Sequence, residues 1–88
     1  MNRVLAVRLI KPEGRQTLVW EGETAAHGLV IRYGSEGRRL RTQHLPLSLM
    51  PGGDLKAALL ALAEAKCRQG FQRSWQGYRE DYPPQWFF

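Results

Sequence analysis

An α+β fold is expected: a small antiparallel β-meander of about four strands, one main helix packed on a face, and an aromatic-rich segment after it. Three observations predict it. Alternating apolar and polar runs recur between Arg3 and Gln43, separated by stretches rich in Gly and Pro. One later stretch, Leu55 to Gln69, has helical periodicity with a stop signal at each end. Of the three Trp, three Tyr and three Phe, all but Trp20 and Tyr33 lie from Phe71 onward.

The 88 residues suffice for one core, burying about 60–65% of the unfolded chain's surface. A hydrophobic share of 43% against 24% charged is close to the globular average and argues against wholesale disorder. Residues 1–72 read as the folded domain and 73–88 as an aromatic extension packing back on it.

The elements follow in order. From Arg3 to Ile10, Leu5, Val7 and Leu9 alternate with Ala6 and Arg8, the pattern of a half-buried strand. Pro12 to Gly14 turns the chain, and Gln16 to Glu21 returns antiparallel with Leu18 and Trp20 inward, making Trp20 a central core residue. Gly22 to Gly28 forms the next connection, with His27 solvated in it. Leu29, Ile31 and Tyr33 then share one face of a third strand, and a fourth carries Arg39, Arg41 and Gln43. Leu45 to Gly53, broken by Pro46, Pro51 and a Gly pair, reads as an irregular crossing. Asp54 is a natural N-cap, Lys66 and Arg68 occupy the last turn, and Gly70 ends the helix. Its apolar stripe is Leu55, Leu59 and Leu62, joined by Ala58 and Ala65, with Cys67 as a small buried or half-buried hydrophobe. Phe71, Trp75, Tyr78 and Tyr82, at spacings of four, three and four, extend a helical stripe until Pro83-Pro84 ends it, leaving Trp86, Phe87 and Phe88 at the terminus.

Charge directs the functional reading. The chain carries 13 Lys and Arg against 8 Asp and Glu, a net charge of +5, with a pI near 10.0, and is drawn to polyanions. Four arginines cluster in LVIRYGSEGRRLRTQ, namely Arg32, Arg38, Arg39 and Arg41, interrupted only by Glu36. Alternation predicts a hairpin with an apolar side and a guanidinium side. On it, Arg32 would lie about 5 Å from Arg39 or Arg41 on the neighbouring strand, an arrangement that an anion would relieve. One cysteine permits no intrachain disulfide or thiolate cage, and arginines interrupt the apolar opening MNRVLAVRLI. A cytoplasmic protein without export signal or membrane span is expected.

Val30-Ile31-Arg32-Tyr33-Gly34, then Gly37-Arg38-Arg39, then a helix ending in Cys67-Arg68-Gln69-Gly70-Phe71 resemble a WGR domain over about Val4 to Phe71. That family is a small antiparallel sheet with a packed helix, found in DNA-dependent poly(ADP-ribose) polymerases and in bacterial proteins and regarded as nucleic-acid binding. Its Trp, Gly and Arg fall here on Tyr33, Gly34 and Ser35, and the turn before Gly37 is shorter than the family's. The resemblance implies an aromatic face at Tyr33 beside Gly34. Ser35 cannot make the bidentate phosphate contact of an arginine. From the residues alone, Arg38 and Arg39 are the candidates to supply that charge.

The catalytic classes find no support. The two histidines are far apart, there is neither an HExxH nor a GxSxG element, and Glu80 and Asp81 are neighbours that point apart. No metal or other cofactor is expected. The leading expectation is therefore a non-catalytic module binding nucleic acid, DNA before RNA, mainly at phosphates, through Arg32, Tyr33, Gly34, Arg38, Arg39 and Arg41. The alternative is a protein-interaction or self-association domain docking through its C-terminal aromatics, with nucleic-acid binding lost. A small-ligand domain would require a concave pocket.

Overall fold

The computed structural model describes residues 3–46, 48 and 53–79. Its elements are β1 (Leu5–Glu13), β2 (Gln16–Ala25), β3 (Gly28–Ser35), β4 (Arg41–Pro46), α1 (Leu55–Arg68) and β5 (Gln72–Tyr78). All five strands join one antiparallel sheet in the order β4-β3-β2-β1-β5. The expected four-strand meander is present, and a fifth strand closes on its first.

The turns are short. Gly14 and Arg15 alone separate β1 from β2, with Glu13 opposite Gln16 and Gly14 at φ +63°. A glycine with positive φ in first place, followed by a residue with negative φ, is the turn whose twist matches a β-hairpin. Ala26 and His27 connect β2 to β3, so Gly22–Ala25, expected as loop, belong to β2. After β3 the Arg38 N–H donates to the Ser35 carbonyl at 3.1 Å, with Gly37 at φ +82° in the third position of the turn.

The helix forms as its ends dictate. Asp54 Oδ1 accepts the Ala57 N–H at 3.1 Å, and beyond Arg68 the chain leaves the helix through Gln69 and Gly70, the latter at φ +104°. α1 lies against β1, β2 and β3. Leu59 and Ala63 are buried, and Leu55, Ala58, Leu60 and Cys67 pack half-buried around them. Leu62 is 36% exposed and Ala65 is exposed, so the expected stripe is rotated, with Ala63 in place of Leu62. Under the helix sit Leu5, Val7 and Leu9 of β1, Trp20 of β2, and Leu29 and Ile31 of β3. Trp20, 5% exposed, is the core residue its alternation predicted. A Cβ on Gly22 would stand 2.5 Å from Leu59 Cδ1 and 3.0 Å from Trp20 Cη2, so the missing side chain lets helix and sheet approach this closely.

The segment after the helix differs most from expectation. Its aromatic spacing predicted a helical stripe, whereas Gln72–Tyr78 is β5, paired with β1 from Leu5↔Tyr78 to Ile10↔Gln72. This strand crosses the expected 72/73 boundary and is part of the sheet. Its register slips between Arg8, opposite Trp75, and Leu9, opposite Arg73, leaving Ser74 as the extra residue of a β-bulge. The slip matters because Phe71 and Tyr78 are an odd number of residues apart and a regular strand would place them on opposite faces. With it, both pack against the core beneath α1. Trp75 lies on the other face, folded over Gly77, where a Cβ would be 2.9 Å from its ring. Residues 80–88, including Tyr82, Pro83, Pro84, Trp86, Phe87 and Phe88, and most of the Leu47–Gly52 crossing lie outside the described residues.

Candidate nucleic-acid interface

Strand parity decides where the hairpin arginines go. Tyr33 lies opposite Arg41 and Arg32 opposite Thr42, so odd-numbered residues of both strands share one face and even-numbered residues the other. Tyr33, Arg41 and Gln43 are on the helix side with Ile31. Arg32 is on the outer side, and the guanidinium face expected of this hairpin does not form.

Arg32 also has a carboxylate of its own. Its Nη2 donates to Glu23 Oε1 at 3.0 Å, and Arg79, following β5, reaches the same oxygen from Nη1 at 3.4 Å. The Glu23 side chain is 10% exposed, so two guanidiniums neutralise a nearly buried acid. Arg32 thus ties β3 to β2, and Arg79 fastens the end of β5 to the same point.

The remaining hairpin cations gather at one end of the sheet. Alternate turns of a meander lie at the same end, so the Gly14-Arg15 turn is beside the Glu36–Leu40 connection. Glu36 N–H donates to the Thr17 carbonyl at 2.8 Å, and Ser35 Oγ donates to Gln16 Oε1 at 2.8 Å, locking the two turns together. Between them lies an open depression lined by Arg15, Thr17, Ser35, Glu36 and Arg38. The C-terminus of α1 reaches the same end, where a Cβ on Gly70 would be 3.2 Å from Lys11 Cε. Lys11 and Arg15 from the first hairpin, Arg38, Arg39 and Arg41 from the second, and Lys66 and Arg68 from the helix therefore belong to the elements that meet at this end, Arg15 and Arg38 lining the depression together and Lys11 and Lys66 lining one groove. Against these seven stand Glu13 and Glu36, with Glu64 one helical turn back, 3.6 Å from Arg68. Arg38, Arg39 and Arg41 are exposed.

Beside α1 the helix leaves part of the sheet uncovered. A groove of about 500 Å³ opens there, with Trp20 and Ile31 beneath, Tyr33, Gln43 and Leu45 on the sheet side, and Leu62, Lys66 and Gln69 on the helix side. Gly34, Lys11 and Phe71 complete its lower rim, and no described residue lining it is acidic. Tyr33 is 40% exposed, and Lys11 Nζ is 6.0 Å from the Phe71 ring centroid. Gly34 pairs with Val19 and packs beneath Leu40, which a Cβ would approach to 3.2 Å.

Of the six residues expected at the site, Tyr33, Gly34, Arg38, Arg39 and Arg41 thus lie in the turn or on the helix side at this end, and Arg32 faces the opposite side of the sheet. Lys11, Arg15, Lys66 and Arg68 join them unforeseen. Arg15 was within reach of sequence reasoning, since a residue in the first turn of a meander must neighbour the third. The aromatics proposed for docking are engaged within the domain as far as Tyr78. Arg3 Cζ is 3.9 Å and Lys56 Nζ 5.2 Å from the Tyr78 ring centroid. Among the described residues no three His, Cys, Asp or Glu side chains group as metal ligands, and no helix is long and apolar enough to cross a membrane. Compared with known proteins, the chain matches no family model, no curated protein and no solved structure.

Proposed function

We propose that this domain is a non-catalytic nucleic-acid-binding module that holds DNA mainly through its phosphates at the basic end of the sheet. The observation that carries the reading is the meeting of two turns and a helix C-terminus at one end of the sheet, the elements that bear Arg38, Arg39, Arg41, Lys11, Arg15 and Lys66 with few acids among them. Cations so placed release the counterions condensed on a polyanion, and binding of this origin weakens as salt rises. The reading is supported by Tyr33, a partly exposed aromatic beside Gly34 with Arg41 directly across from it, while Arg38 and Arg39 in the turn remain the candidates for the charge that Ser35 lacks. The setting proposed is the cytoplasm, where a lone Cys67 stays reduced.

Fluorescence anisotropy with labelled DNA over a series of salt concentrations tests this. The logarithm of the association constant falls linearly with the logarithm of salt. In the Arg39→Ala, Arg41→Ala double variant that slope becomes shallower by roughly 1.4–1.8, two phosphate contacts' worth. Binding that ignores salt, or a folded double variant that binds like the parent, overturns the proposal.

A further inference from the structure

We infer that the groove beside α1 receives an unpaired nucleobase, so that the domain selects single-stranded over duplex nucleic acid; this rests on the polyanion reading above. The groove joins two chemistries that phosphates alone do not need. Its interior is apolar and aromatic: Trp20 and Ile31 at the bottom, with Tyr33 on the sheet and Leu62 on the helix exposed to 40% and 36%. Its lower rim is cationic, with Lys11 on β1 and Lys66 on α1, and Arg41 adjoins Tyr33 as its cross-strand neighbour.

A duplex presents phosphates and sugars outward and keeps its base faces stacked inside, so it has nothing apolar to place between Tyr33 and Leu62. A single strand offers both parts at once, a π-face for the groove and a phosphate on either side for the cations. Gln43 and Gln69, on opposite walls, present amide donors and acceptors to the edge of whichever base enters, and since an amide suits any of them the site is tolerant of sequence.

The probes are a labelled oligo(dT) and a labelled blunt-ended duplex of the same length, titrated by anisotropy at one low salt concentration. The variants are Tyr33→Ala and Leu62→Glu, each checked for native circular dichroism. Both positions are partly exposed, and glutamate is a good helix former, so the fold is retained. The expected result is tighter binding of oligo(dT) than of duplex, with Tyr33→Ala weakening oligo(dT) roughly 5- to 150-fold and duplex by a smaller factor, so that the preference for oligo(dT) narrows. Leu62→Glu, which sets a carboxylate in the groove, acts in the same direction. Duplex bound as tightly as oligo(dT), or oligo(dT) affinity unmoved in both folded variants, overturns the groove assignment while salt-sensitive binding survives. Absence of binding to either probe overturns both readings together.

Discussion

Arg32 and Arg41 lie nine residues apart on one hairpin and have opposite surroundings. Arg32 faces outward across the sheet, holds Glu23 at 3.0 Å, and shares that acid with Arg79. Arg41 faces the helix side at the open edge strand, exposed, beside Tyr33 and near the other cations of the two turns. The difference comes from register: an odd separation along the chain becomes opposite faces once Tyr33 is set against Arg41. A cluster of like charges in sequence is therefore two populations in space, one that stabilises the fold and one free to meet a ligand.

Removing Arg32 should break this contrast most strongly on the structural side. Arg32→Ala leaves a carboxylate that is only 10% exposed with the longer Arg79 contact alone, and should lower unfolding free energy by about 1.5–3 kcal/mol in urea denaturation. DNA affinity of the folded variant should stay that of the parent. A large loss of affinity with unchanged stability would put Arg32 among the ligand-binding arginines after all. The helix cap gives a smaller effect of the same kind. Asp54→Ala removes the acceptor of the Ala57 N–H and should cost about 1 kcal/mol, read as a lower midpoint in the same denaturation experiment. The smallest effect sharpens the role of register itself. Gln43→Arg adds a cation on the Tyr33 side of β4, and should steepen the salt dependence of DNA binding by roughly 0.7–0.9. Thr42→Arg, one residue away but beside Arg32, should not.

The sequence resolves this domain where local pattern and tertiary pairing agree. Leu5, Val7 and Leu9 alternate because one face of β1 is covered by α1, and Asp54 and Gly70 mark the helix ends by chemistry that acts within one turn. β5 was illegible because its partner is the first strand of the chain. Gln72–Tyr78 contains no Val, Ile or Thr, and the Ser74 bulge breaks its alternation, so its aromatics fall at spacings that imitate a helix. The rotation of the helix stripe has a related cause. Gly22 sets the point of closest approach under Leu59, and the face in contact follows from that point, passing through Ala63 rather than Leu62. At the candidate site, Tyr33 and the turn arginines could be found because they are contiguous. Lys66 and Arg68 could not, because only the docking of the helix brings them there.

The pairing of β5 with β1 carries a consequence for how the protein is made. The meander and its three turns emerge first from the ribosome and can assemble from near neighbours, but one flank of β1 has no hydrogen-bonding partner until β5 has been synthesised. Until then the nascent chain presents an unpaired strand margin next to an incomplete core, the feature that invites pairing with other chains. Ending the polypeptide before Gln72 would make that transient exposure permanent.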